Sequence, residues 1–325
     1  MGTKAVFLLS NSATFRDAPL CSVVVPTFNR PEQLEACLAG LRGVDYPRME
    51  ILVLHNGPKD ERAKEVAERW QALYLWDLRP GLSRARNQGA GEARGDIIAY
   101  LDDDAVAEPG WLAALVREFR DERVMAATGC ILPTNVETDA ERAFAARGGF
   151  SVGDNTRSIL DQDNPDWFEL ACFGGIGNGA NMAFRRSVFD LWPGFDERLG
   201  AGSPIGGGEE HYAFFSMVDR GFRVVYTPDA VVRHPFPATL DELRGRVARQ
   251  LASRAAYTLF LFAEQRRFRR RLTRLVFDSS FKRRIVASEK ARAKVLGAWA
   301  RCGAYALGVG HFLESRRAPR DEGRG

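Results

Sequence analysis

Apolar positions along the chain follow two alternating rhythms. Cys21–Val25 is a β-branched run closed by Pro26, the composition of a buried strand. Pro31 suits a first helical turn, and Leu34, Cys37, Leu38 and Leu41 then recur at i, i+3, i+4 and i+7, the stripe of an amphipathic helix. A second apolar run, EILVLH, ends at the turn signal Asn56-Gly57-Pro58; a charged helical stretch over 60–72 leads to a third, LYLWDL. A helix over Ser83–Ala93 and a strand over Asp96–Leu101 continue the series. Strands alternating with helices predict parallel βαβ units, whose ligands lie beyond the carboxyl ends of the strands.

Farther along, the spacing predicts a helix over 111–120 and a strand over 123–132. The pattern weakens to polar residues over 134–170, and periodicity returns at Asn181–Phe189. Residues 223–233 read as two strands interrupted by Pro228. From Leu240 to Arg317 the chain is helix-forming, rich in Ala, Leu and Arg.

Composition narrows the class. With 325 residues, 45% of them hydrophobic and 27% charged, the chain can bury a core without disulfide staples. Its five cysteines are dispersed, with no CxxC pair, which fits reduced thiols better than a disulfide framework or a zinc site. The early run VFLL is short for a signal-peptide core, and no later segment reaches a bilayer-spanning length, so a cytoplasmic protein is expected. Charge is uneven: 25 basic and 34 acidic residues precede Asp241, against 21 and 8 from there on. An acidic front part with a basic tail points the tail at a polyanion or an anionic membrane, and the acidic part argues against nucleic acid.

Four clusters carry candidate chemistry. Asp102-Asp103-Asp104 follows the apolar run IIAYL, and adjacent carboxylates at a strand end suit Mg²⁺ or Mn²⁺ bridging to phosphate oxygens, or simply a solvated turn. Gly206-Gly207-Gly208-Glu209-Glu210-His211 hands a flexible backbone to two carboxylates at a helix start, where one could act as general base or merely complement the helix dipole. His234, in VVRHPFP, could complete a metal shell and favour Mn²⁺. Arg84, Arg86 and Asn87 cluster near a helix start and could grip a pyrophosphate.

The order of these segments resembles the family 2 glycosyltransferases, inverting enzymes of the GT-A fold. The resemblance runs through SVVVPTFNRPEQLEACLAGL, EILVLHNGP, GLSRARNQGAGEARGDIIAYLDDDAVAEPGWL, GNGANMAFRRSVFDLWPGFDERL and GGGEEHYAFFSMVDRGFRVVYTPDAVVRH, roughly residues 20–235. It implies an α/β domain over 20–239 with a mostly parallel, Rossmann-like sheet: a nucleotide-sugar half to about 133 and an acceptor half after it. An extension (1–19), a basic helical C-terminal appendage (240–317) and a disordered tail (318–325) complete the expected layout. Pro26, Thr27, Asn29, Glu32, Asn56, Arg86, Asp102 and Asp103 would bind the nucleotide sugar, with Asn56 standing where the family often has an aspartate. Asp102 and Asp104 match the ends of a DxD motif and, with His234, would hold the metal. Asn178, Gly179 and Asn181 would shape the sugar and acceptor side. Glu210 matches the second position of a Glu-Asp pair and is the expected base, with Glu209 beside it leaving that assignment open.

The implied reaction moves a sugar from a nucleoside diphosphate, UDP first and dTDP or GDP otherwise, to a hydroxyl of a glycan, lipid-linked or small-molecule acceptor. Cell-surface polysaccharide or glycoconjugate synthesis is the expected setting. A sugar-nucleotide pyrophosphorylase or other nucleotidyltransferase would share the sheet and acidic site but needs a Gly-rich triphosphate loop that this chain lacks near its start. A noncatalytic carbohydrate-binding relative would have no use for three adjacent aspartates. The stretch TLFLFAEQRRFRRRLTRLVF sets six arginines beside apolar residues and predicts peripheral contact of 240–317 with the inner face of the cell membrane.

Overall fold

The computed structural model describes residues 18–146, 149–150, 156–277 and 295–317; the expected extension up to residue 17 and the tail from 318 lie outside them. The first half runs β1 (Cys21–Thr27), α1 (Pro31–Arg42), β2 (Met49–Asn56), α2 (Glu61–Arg69), β3 (Leu73–Asp77), α3 (Leu82–Glu92) and β4 (Ile97–Leu101). Then come β5 (Val106–Ala107), α4 (Trp111–Glu118), β6 (Val124–Pro133), α5 (Asp139–Ala145), β7 (Ser158–Leu160) and α6 (Trp167–Phe173). The remainder is β8 (Asn181–Arg185), α7 (Glu209–Asp219), β9 (Arg223–His234), α8 (Leu240–Glu264), α9 (Arg269–Phe277) and α10 (Ala298–Ser315).

The strands form one sheet in the order β3-β2-β1-β4-β8-β6-β9-β5, with β7 also on β9. β1 through β4 are parallel, as the βαβ rhythm predicts. Helices cover both faces, so alternate residues of one strand enter different cores. Val23 and Val25 pack with Leu34, Leu38 and Trp111 on one side. Val24, Ile98 and Tyr100 pack with Phe214, Tyr257 and Phe260 on the other. Double coverage is why these strands read as continuous apolar runs rather than alternating ones.

Two later segments differ from the sequence reading. The stretch 134–170 holds α5, β7 and the start of α6, each only three to seven residues long and so too short to show a period. Residues 223–234 are one strand rather than two: its register against β6 passes from Thr227↔Gly129 to Val231↔Cys130. Pro228 has no N–H to give the ladder, so the chain bulges there and resumes, delivering His234 opposite Pro133. The glycine that precedes α7 is equally local in effect. Gly208 caps that helix at φ +87, where a Cβ would meet the Tyr257 ring at 2.6 Å. Only glycine combines that backbone with that contact.

The first helix of the basic C-terminal region is part of the core. A Thr239/Glu242 capping box starts α8, and Leu243, Val247, Leu251, Ala256, Tyr257 and Leu261 are buried along it. No helix among the described residues is long and apolar enough to cross a membrane. All five cysteines are free, four of them buried.

Candidate active site

The end of β4 delivers the three aspartates to three different surroundings. Asp103 turns inward: its carboxylate accepts from the Thr27 hydroxyl at 2.7 Å and faces Arg30 at 3.4 Å. Burial pushes its pKa up to about 6, with the Thr27 bond pulling the other way. Asp104 reaches His234 Nε2 at 3.1 Å and Arg30 at 3.3 Å. Burial raises Asp104, but the imidazole outweighs it and holds the carboxyl below its ordinary value. Asp102 is raised, by burial first, with Arg86 opposing at 3.5 Å.

Asp102, Asp104 and His234 offer ligand atoms that all lie within 4.8 Å of one another. Two carboxylates and one imidazole form a donor set suited to Mn²⁺ or Mg²⁺, with the nitrogen tilting it toward Mn²⁺. His234 is already oriented to join that set, because Nδ1 lies 2.8 Å from the Pro235 carbonyl and so carries the proton that this bond needs. Nε2 is thereby aimed at the cluster. Burial lowers the imidazole pKa, yet Asp104 and Asp102 together lift it above the ordinary value. A proton therefore occupies Nε2 in the metal-free site more readily than in free histidine.

Behind this cluster, Arg86 ties the front half to the back half. It is 1% exposed, donates to Glu209 Oε1 at 2.7 Å and to the Gly179 carbonyl at 2.9 Å, and reaches Asp102 with the same nitrogen. A buried guanidinium needs this density of acceptors to remain charged. Glu209 is thus committed. Burial and the neighbouring Glu210 charge push its carboxyl up to about 7 against the pull of Arg86. Glu210 is left with its side chain 13% exposed and His211 4.0 Å away. A Cβ on Gly179 would stand 3.0 Å from Arg86 and 3.4 Å from Glu210, so the GxN backbone separates the two groups without filling the space.

The remaining expected site residues divide. Thr27 and Asn56 are buried at the ends of adjoining parallel strands, where Asn56 donates to the Gly81 carbonyl at 2.6 Å and keeps its amide oxygen for another donor. Pro26 is buried within β1, and Asn29 is exposed at φ +53 in the loop that follows. Glu32 points to solvent, paired with Arg62. Asn178 caps its own turn by accepting from Ala180 N at 3.1 Å. Asn181 does not face the site: it is fully buried, accepting from Trp111 Nε1 and donating to the carbonyls of Cys130 and Ala230. The pyrophosphate grip expected of Arg84, Arg86 and Asn87 is not formed either. Arg84 pairs with Glu197, Asn87 holds the Phe195 backbone from both ends of its amide, and Arg86 is spent as described.

Three residues escaped the sequence reading. Arg30 bridges Asp103 and Asp104. Asp77 is the register partner of Asn56 at the end of β3. Arg246, on α8, lays its guanidinium 4.7 Å over Phe150, whose ring lies 4.8 Å from His234. Burial lowers Arg246 while Asp104 and Asp102 hold it up, and its Nε is buried with no hydrogen-bond partner among the described residues. Only the helical phase singles it out from Arg244 and Arg249 beside it.

The sequence model described as Glycosyl transferase family 2 matches residues 22–191, more than half of the chain. The chain belongs to this family. As a family 2 glycosyltransferase it is an enzyme. It is 28% identical over 249 residues to an N-acetylglucosaminyltransferase of Rhizobium meliloti (strain 1021), covering 69% of this chain and 53% of that one. It is 26% identical over 226 residues to glycosyltransferase AglE of Haloferax volcanii, covering 67% of each. The chain thus spans about half the length of the first relative and two thirds of the second. Its fold is GT-A. Mannosyltransferase PcManGT from Pyrobaculum calidifontis, solved in complex with GDP-Man and Mn²⁺, superposes with a TM-score of 0.59 at 18% identity, over 92% of this chain and 86% of that one.

Proposed function

We propose that this family 2 glycosyltransferase transfers a sugar from a nucleoside-diphosphate sugar to an acceptor hydroxyl by one inverting displacement, with Glu210 as the base. The observation that carries the reading is the unequal treatment of two adjacent carboxylates. Glu209 is locked on buried Arg86, whereas Glu210, its Cβ beside Gly179, is not hydrogen-bonded to Arg86 and has His211 4.0 Å from its carboxylate. The acceptor hydroxyl attacks the anomeric carbon from the face opposite the diphosphate, Glu210 takes its proton, and the bond from that carbon to the diphosphate oxygen breaks. The configuration inverts, and no side chain forms a bond to the sugar.

Asp102, Asp104 and His234 would hold a divalent cation, which when bound neutralises charge growing on the leaving diphosphate. Arg246 adds a second positive group on the same side, from a helix that begins beyond the matched family segment. Thr27, the Asn56 amide oxygen and Asp77 line the strand ends where the base would sit. A UDP-sugar is the first donor to try, then dTDP- and GDP-sugars. A glycan, lipid-linked or small-molecule hydroxyl is the acceptor, and cell-surface polysaccharide or glycoconjugate synthesis the setting.

The test is release of nucleoside diphosphate across a donor panel with Mn²⁺ or Mg²⁺, followed by NMR of the product's anomeric centre. Glu210→Gln should lower kcat by about 10²–10⁴ without moving the melting temperature. Retained configuration, or a variant as fast as the parent, refutes the assignment.

A further inference from the structure

Helix α10 presents an apolar face that the reaction does not use. It lies against α8 through small residues: a Cβ on Gly308 would stand 2.4 Å from the Ala252 carbonyl, and Ala304 is buried among Leu243, Val247 and Leu251. Arg316 reaches Glu264 at 3.1 Å, so the two helices run side by side in the same direction. The outward side is then set by the helical period. Trp299 is 90% exposed, and Tyr305, Leu307, Val309 and Leu313 are each about half exposed. Between Ala298 and Leu313 the only charged side chain is Arg301. A helix held in water on that side would carry charges there.

The rim of this face is basic. Where α8 and α10 end together, Phe262 is exposed beneath the Arg269 guanidinium at 5.0 Å, Arg266, Arg270 and Arg317 are exposed, and Arg316 is exposed but paired with Glu264. The arginines that the sequence singled out are not all free for this: Arg267 pairs with Asp219 and Arg271 with Glu169. Apolar side chains led by an exposed Trp and Tyr, bordered by arginines, match the two zones of a lipid surface: acyl boundary and anionic headgroups.

We infer that the α10 face and its arginine rim seat the enzyme on an anionic phospholipid bilayer, with α10 lying in the interface. The inference stands apart from the transfer reaction, because it needs neither donor nor metal. A lipid surface satisfies both features at once, whereas a second copy meeting the same face would bring its own positive rim.

The test is co-sedimentation of the full chain with vesicles of phosphatidylcholine alone and of phosphatidylcholine with phosphatidylglycerol. Binding is expected to the anionic vesicles and to fall with salt. Replacing Arg266 and Arg270 by Gln should weaken it by about fivefold per arginine. A triple variant, Trp299→Ser, Leu307→Ser and Leu313→Ser, should weaken it by roughly tenfold or more. All five positions are exposed, so melting temperature and diphosphate release without vesicles should match the parent. Equal affinity for both vesicle types, or no pelleting with either, overturns the inference. So does a dimer in sedimentation velocity that the triple variant abolishes, since a second copy would then cover the face.

Discussion

Replacing Asn181 separates a fold role from an acceptor-binding role. Its amide makes three hydrogen bonds inside the protein: the Trp111 indole donates to the oxygen at 2.8 Å, and the nitrogen donates to Cys130 O at 2.9 Å and Ala230 O at 2.8 Å. The partners fix which end is which, since an indole N–H only donates and carbonyls only accept. These carbonyls flank the β9 bulge, where Pro228 has broken the ladder. Asn181→Ala strands one donor and two acceptors, each worth about 1–3 kcal/mol when buried without a partner, or about 3–9 kcal/mol together. For a chain of this size that lowers the melting temperature on the order of 10 °C. Asn181→Asp keeps the bond from Trp111 but turns a carboxylate oxygen toward two carbonyls, so it should be no better than Ala. Urea and thermal unfolding give the stability. Initial rates at a temperature where the variant remains folded give KM for donor and acceptor, which should stay near parental. If both variants melt like the parent while KM for the acceptor climbs, Asn181 faces substrate and the inward placement is wrong.

Three further outcomes follow from the site. Asp104→Asn should weaken Mn²⁺ binding by more than the about 10–100-fold typical of an outer-shell change, measured by calorimetry in the absence of donor. Arg246→Met should weaken binding of the free nucleoside diphosphate by about tenfold, at about 1.4 kcal/mol for one charged hydrogen bond, and Arg246→Lys should recover part of it; unchanged affinity in both would remove Arg246 from the site. Glu209, pushed up to about 7 in the fold, contributes stability that is whole below the ordinary carboxylate pKa and is lost as pH rises through 7. The unfolding free energy of the parent relative to Glu209→Gln should therefore fall by about 2–3 kcal/mol between pH 4.5 and pH 8. A flat difference would mean that Arg86 compensates the buried carboxylate fully.

What the sequence determined by itself is what depends on local rhythm. The strand-helix alternation from Cys21 to Leu101 is written in apolar spacing, because β1 and β4 are buried on both faces, β2 over its later part, and each helix along one stripe. The acidic cluster was equally legible, since three consecutive aspartates after a buried strand belong to a single turn. Tertiary structure alone decided which members of a motif face the site. Asn178 and Asn181 belong to one short segment, yet the strand that begins at Asn181 turns its amide into the core, where the bulge of a distant strand leaves carbonyls to satisfy. Glu209 and Glu210 are neighbours with opposite fates because Arg86, more than a hundred residues earlier, is buried against only one of them. Arg246 feels the charge of Asp104 and Asp102 although it lies on α8, more than a hundred residues farther along, a proximity that no local pattern encodes. Burial of a charge is settled by partners far along the chain, so the sequence names the chemistry while the fold assigns the roles.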